Sequence, residues 1–290
     1  MSTPPVIDGR IGPDEWRESA AFNVQISQRP PAHRGFYPRQ VTWRLAWDDE
    51  NLYVASQSPL NPNERPRRRA RSSVGAGVMF DESLEMWFDP KIRNPQSGML
   101  SHFQTMINAL GVTYFCRLYP EAGARSEEWN PKWSAAPFLD GQRMDFEIAV
   151  PRTGLALPGP NCAGDTWGLM LARNFRTGDY NQSPMGYRFQ IGFDLNDSYP
   201  VMELAAERPY VQFAYPRPLY DGRVWASATI RNPTPGEQAV RIVLEVCDQE
   251  GDGVRFRRET ELKLAPGGEA EFTADEPANP PIDITQDKRY

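Results

Sequence analysis

The chain has 290 residues and a formal net charge of −6, from 32 Lys and Arg against 38 Asp and Glu. It is long enough for two domains, or for one large β-domain with an appendage, and its charge supplies no global field for nucleic acid, although a local basic patch can still hold an anion. Its 28 prolines are roughly twice the average share and interrupt long helices, and beside eight Trp, eleven Tyr and fourteen Phe they point to short strands joined by tight turns.

Met1-Ser-Thr-Pro-Pro carries neither the charged nor the apolar region of a signal peptide. That start fits a cytoplasmic protein, or one whose given start is not the natural precursor's. Pro13-Asp14-Glu15-Trp16-Arg17 reads as a helical start of a turn or two, with proline and acids at first-turn positions. Val41, Trp43, Leu45 and Trp47 alternate as in a half-buried strand, Asp48 to Asn51 turn, and Leu52-Tyr53-Val54 open a second strand. The alternation recurs at Leu84, Met86 and Phe88, at Phe103, Thr105 and Ile107, and at Phe146, Ile148 and Val150. A further strand is predicted over Trp167 to Arg173. Together these elements predict an antiparallel sandwich. The pattern lapses around Glu203 to Pro209, and strands resume over Val224 to Ile230, Val240 to Val246, Val254 to Leu264 and Ala270 to Thr273. The expected division is residues 1–206 for the first sandwich and 207–290 for an immunoglobulin-like one. That second span falls short of the ~100 residues of a full domain of its kind, so the chain is expected to stop inside it.

No stretch reaches the ~18 apolar residues of a membrane-spanning helix, and no membrane partner is expected. Cys116, Cys162 and Cys247 are widely spaced, with no CxxC pair, which argues against a disulfide framework and a structural zinc site.

Three features invite chemistry. Arg65-Pro66-Arg67-Arg68-Arg69-Ala70-Arg71 is an anion clamp in one reading, since planar guanidinium groups bind carboxylate and sulfate in bidentate fashion, with Arg67, Arg68 and Arg69 as the contacts. In another it is a solvated, mobile loop. A nucleic-acid patch is disfavoured because nothing else in the chain adds to its basic charge. The run Asp81 to Asp89 is two-sided: with Leu84, Met86 and Phe88 inward, Ser83, Glu85, Trp87 and Asp89 share the opposite face. A carboxylate beside an exposed indole suits a sugar, the ring stacking on a pyranose and the carboxylate accepting from its hydroxyls. An ordinary strand face is the plain alternative, and Glu85 with Glu147 as the acid and base of a glycosidase is another. His102 lies four residues before Met106, a pairing able to ligate haem iron, although one strand rarely supplies both axial ligands.

Several segments resemble, in order, the family 9 carbohydrate-binding modules and their relatives. Val6-Ile7-Asp8-Gly9-Arg10-Ile11 with Asp14-Glu15-Trp16 resembles the family opening, and Leu45-Ala46-Trp47-Asp48-Asp49 with Leu52-Tyr53-Val54 resembles its hairpin. Glu82 to Pro90, Phe146 to Pro151 and Trp167 to Arg173 resemble three later strands. The resemblance covers residues 6 to about 205. It implies an all-β fold, an antiparallel β-sandwich of the carbohydrate-binding-module type, followed here by the truncated immunoglobulin-like sandwich. It further implies binding of a polysaccharide or oligosaccharide without catalysis, as a secreted accessory module of a glycan-degrading system, with a catalytic domain or other modules as partners. No cofactor is required, and structural calcium occurs in some members.

Carried over by position, the resemblance implies a site of Phe80, Glu85, Trp87, Gln104, Arg173, Asn174 and Phe193. Glu85 matches the family glutamate, Phe80 and Phe193 stand near the two clamping tryptophans, and Gln104 stands where the family has an arginine. The arginine loop runs straight into this segment and is expected to tune the site for an acidic glycan. Trp43, Trp47 and Trp167 are expected in the core, while Trp129 and Trp133 suit either role. A haem-binding electron-transfer sandwich and a polysaccharide-active enzyme are the alternative readings.

Overall fold

The computed structural model describes residues 1–26, 36–60, 63, 65–72, 76–89, 102–119, 124–155, 157, 159–176, 181–184, 199–205, 208–216, 223–247 and 253–277. The chain divides into two compact units, Met1–Ser19 with Val24–Leu204, and Ala20–Asn23 with Ala205–Tyr290.

The first unit is an antiparallel sandwich. One sheet runs β2 (Phe36–Trp47), β3 (Asn51–Pro59), β9 (Arg143–Pro151), β8 (Ser134–Leu139). The other runs β11 (Asn181–Pro184), β10 (Thr166–Phe175), β4 (Ser83–Asp89), β5 (His102–Asn108), β6 (Thr113–Tyr119), β7 (Ala124–Ser126), with β12 (Val201–Glu203) also on β10. The expected hairpin forms at Asp48, whose Oδ1 accepts from the amides of Glu50 and Asn51. The alternating apolar residues meet between the sheets: Trp43, Leu52, Val54, Phe146, Ile148 and Val150 from one, Leu84, Met86, Phe88, Phe103, Ile107, Trp167, Leu169, Leu171 and Phe175 from the other. Trp43 and Trp167 are thus core residues, whereas Trp47 is only half-buried.

Both sheets are also covered on their outer faces, which single-sided alternation does not anticipate. On the first, Trp16 packs with Ala46, Tyr53 and Ala55. Its indole Nε1 donates to Glu147 Oε1 at 2.7 Å, and the amides of Gly9 and Asp8 donate to Oε2 at 2.8 and 3.2 Å. The N-terminal segment is therefore pinned to β9 through one carboxylate. Gly9 has φ +87°, and a Cβ there would stand 2.7 Å from the Pro137 carbonyl carbon, so only glycine fits. Residues 13–18 form hydrogen-bonded turns where a short helix is expected, with the Trp16 amide on the Gly12 carbonyl.

In the second unit β13 (Tyr210–Pro216), β14 (Arg223–Arg231) and β17 (Glu269–Pro277) form an antiparallel sheet, and β15 (Gln238–Cys247) pairs with β16 (Val254–Leu264). Ala21 and Phe22 of β1 (Ala20–Ile26), far earlier in the chain, pair in parallel with Phe213 and Ala214. Val240, Ile242, Leu244 and Leu262 pack against Ile230, Phe272 and Ala274, while Arg241, Glu245, Arg257 and Glu259 line the opposite face of the hairpin and pair across it. Asn232 binds this unit's turns together, its side-chain amide donating to the carbonyls of Gly236 and Ala265.

Candidate functional site

The outer face of the second sheet collects most of the residues in question. On β4, Glu85 and Trp87 point away from the core, and the register sets Trp87 opposite Gln104 and Met170, and Glu85 opposite Met106 and Ala172. Glu85 Oε1 accepts from Trp87 Nε1 at 2.7 Å and from Gln104 Nε2 at 2.8 Å, and Oε2 accepts from Asn174 Nδ2 at 3.2 Å. Burial pushes the Glu85 carboxyl above its ordinary range, against the pull of those three donors and of the nearby Arg176 charge. Four of the expected residues, Glu85, Trp87, Gln104 and Asn174, are thus one hydrogen-bonded group.

Two expectations need correction. The indole of Trp87 is not an exposed platform: it is 5% exposed, in a buried cluster with Met170, Ala172 and Tyr199. Arg173 is not on this face at all. Strand alternation that turns Asn174 outward turns Arg173 inward, where it is fully buried, ion-paired with Glu82 at 3.2 Å and bonded to the Ser83 carbonyl and the Met144 sulfur. Phe193 lies outside the described residues.

Phe80 ends a 3-10 turn, Ala76–Phe80, and is 47% exposed. Val78 of that turn packs on Met106, Tyr114 and Cys116 of the same outer face. The arginine segment is held by its backbone: the amides of Arg69 and Ala70 donate to the Asp81 carboxylate at 2.8 Å, and the Arg67 carbonyl accepts from the Glu82 amide at 2.8 Å. Asn108 Nδ2 bridges the Asp81 carboxylate and the Ala70 carbonyl. Its backbone is therefore fastened, in contrast to a mobile loop, and the side chains of Arg68 and Arg69 are exposed while Arg67 is half-buried.

Arg176 joins these parts and is a residue that motif reading missed. Its Nε donates to the Met79 carbonyl at 2.8 Å, next to Phe80, and a terminal nitrogen donates to Asn174 Oδ1 at 3.3 Å. Continuing the period-two count from Asn174 would have found it. Tyr199, also missed, has no such signal, because it reaches this face from outside the strand pattern.

Glu147 sits on the other sheet, occupied by Trp16, Gly9 and Asp8, so it is not brought together with Glu85 as an acid and base pair. His102 and Met106 do share a face of β5, yet His102 lies beside Trp87 and Tyr199 while Met106 packs with Val78, Tyr114 and Cys116. Trp129 and Trp133 are half-buried; their rings meet Phe115, Trp129 also meets Phe103, and Trp129 Nε1 donates to the Gly154 carbonyl. Among the described residues no group of three or more His, Cys, Asp or Glu converges as a metal site, so none is assigned to calcium.

Comparison of the fold with solved structures finds a Bacteroides uniformis protein described as a candidate carbohydrate-binding protein, with TM-score 0.51 and 12% identity over 65% of this chain and 87% of that one. The two share an antiparallel β-sandwich fold. Similar by the same comparison, at TM-score 0.49 and 15% identity, are structures of a family 9 carbohydrate-binding module from Caldicellulosiruptor kristjanssonii in complex with glucose and with cellotriose. Each covers 70% of this chain, and 93% and 91% of the module respectively. No protein-family model and no curated protein matches the sequence. On this sandwich the polar group around Glu85 lies on an outer sheet face, with Phe80 and the arginine loop as its exposed neighbours.

Proposed function

We propose that the first unit is a non-catalytic carbohydrate-binding module whose ligand is an acidic glycan. The observation that carries this reading is the pairing of an exposed aromatic ring, Phe80, with a backbone-fastened loop that presents Arg68 and Arg69 to solvent. An aromatic ring offers the apolar face of a pyranose a stacking partner, and guanidinium groups held in place bind carboxylate or sulfate in bidentate fashion. Fastening the backbone reduces the ordering cost of binding. The carbohydrate-binding names of the similar structures support the substrate class. In the same reading the chain is a secreted accessory module of a glycan-degrading system, and its second unit is an immunoglobulin-like spacer or docking module.

Affinity electrophoresis in gels containing alginate, a sulfated galactan or neutral hydroxyethyl cellulose tests this reading. Retardation by the anionic polymers is expected, weakening with added salt as screened charges require. Replacing Arg68 and Arg69 with alanine should remove most of the salt-sensitive part, and Phe80→Ala most of the remainder. No retardation by any polymer, or anionic retention indifferent to salt and to the arginines, overturns it.

A further inference from the structure

We infer that β15 is a docking edge for a second copy of this chain, the two strands pairing antiparallel about Val243. The inference concerns the second unit and does not rest on the carbohydrate-binding reading of the first.

Among the described residues β15 pairs with β16 alone, and no further strand continues the sheet on its other side. Such an edge offers a row of backbone N–H and C=O groups to any strand that can extend the sheet, and edges are ordinarily blocked by proline, lysine or dense charge. β17, at the end of its own sheet, exposes Glu269, Glu271 and Asp275. β16 carries six charged residues among its eleven. β15 has none of these devices: it holds neither proline nor lysine, and only Arg241 and Glu245 are charged. Its sheet is also narrow. Val240, Ile242, Leu244 and Val246 stay half-buried although they pack toward the clusters of Ile230, Phe272 and Val224.

The charges select the occupant. Strand alternation keeps apolar side with apolar side only when odd-numbered residues of β15 meet odd-numbered residues of the added strand. With Val243 opposite Val243 of the second copy, Arg241 falls opposite Glu245 and Glu245 opposite Arg241. Within each hairpin the register already sets Glu245 opposite Arg257 and Arg241 opposite Glu261. The four strands then carry Arg257, Glu245, Arg241 and Glu261 in one row that alternates in sign, and the two-fold axis repeats that row. Opposite charges directly across a ladder stabilise the pairing. Between the rows lie the two Val243 side chains, each 39% exposed in the single chain. On the other face Ile242 meets Leu244 and Val240 meets Val246, which widens the apolar cover of both copies. Sliding one strand by two residues in either direction loses the match of Arg241 with Glu245. A contact that is the same patch on both copies closes as a dimer. On the carbohydrate-binding reading, the dimer brings two first units to one polymer and gains avidity.

Sedimentation equilibrium of the full chain over a concentration series, on the parent, Arg241→Glu, Glu245→Arg and an equimolar mixture of the two variants, tests this. The parent is expected to associate to the mass of two chains. Each variant alone sets like charges opposite one another across the two-fold axis and should associate at least about tenfold more weakly. Their mixture sets acids against bases in both rows and should recover the parental association, a rescue that an unfolded variant could not give. Val243→Lys, which faces Glu259 within its own hairpin, brings two ammonium groups together at the axis. It should be monomeric, and it serves if a charge variant does not fold. A parent that is monomeric at every concentration, a dimer that the folded variants leave intact, or a mixture of folded variants no tighter than either alone overturns the inference. These outcomes leave retardation of the first unit by anionic polymer unaffected, so the two readings fail separately.

Discussion

Positions 173 and 174 are neighbours on β10 that face opposite sides of the sheet, and their roles divide accordingly. Asn174 donates to Glu85 on the outer face, while Arg173 enters the core, where its guanidinium meets Glu82 and lies over the rings of Phe146 and Phe175 at 5.2 and 5.0 Å. A fully buried cation without its partner is strongly unfavourable, and so is the partner left behind. Arg173→Met should therefore cost about 3–5 kcal/mol of stability, because it strands the Glu82 carboxylate, yet leave saccharide affinity of the remaining folded protein unchanged. Chemical denaturation and calorimetry read the two effects separately. Loss of affinity without loss of stability would return Arg173 to the binding group.

The element that matters most is the segment from Arg65 to Phe80 with the acids that follow it. Asp81 and Glu82 precede β4 and serve architecture: Asp81 holds the arginine loop through backbone amides, and Glu82 ties that loop to Arg173 and to the Arg176 amide. Asp81→Ala removes the acceptor for Arg69, Ala70 and Asn108. Trypsin should then cut between Arg67 and Arg71 several-fold faster than in the parent, since cleavage requires local opening. Affinity for anionic polymer should fall although every arginine remains. Unchanged cleavage would show that Asp81 does not fasten the loop.

For the first unit as a whole, buried carboxylates contribute to the pH dependence of stability. Asp145 is pushed up to about 6 from 3.8, chiefly by burial, with Arg143 and Gln57 opposing, and Glu85 and Glu147 are raised by burial as well. A carboxyl raised on folding holds its proton more tightly in the native state. Its contribution is greatest at low pH and is lost as pH rises from the unfolded value through the folded one. For Asp145 that window runs from about pH 4 to about pH 6, and the loss amounts to up to about 3 kcal/mol. Asp145→Asn should therefore gain stability over the parent at pH 7 and lose that advantage near pH 3, as denaturant titrations at the two pH values would show. Equal stability differences at both would exclude Asp145 as the source.

Period-two alternation made β4, β5, β9, β10 and the strands from β14 to β17 legible in the sequence, because a strand with one apolar face writes its period directly into the chain. It also placed Glu85 and Trp87 together and put Trp43 and Trp167 in the core. Alternation assigns a residue to a side of its strand; it does not say what covers that side. Trp87 reads as exposed until Tyr199 is found over it, and Glu147 reads as a candidate acid until Trp16, some 130 positions earlier, is found donating to it. The pairing of Ala21 and Phe22 with β13 likewise joins residues nearly 200 positions apart. Such contacts arise from the packing of whole elements, which no local pattern encodes, so the sequence by itself determined the strands and their faces, and the tertiary structure alone decided which faces stay open to a ligand.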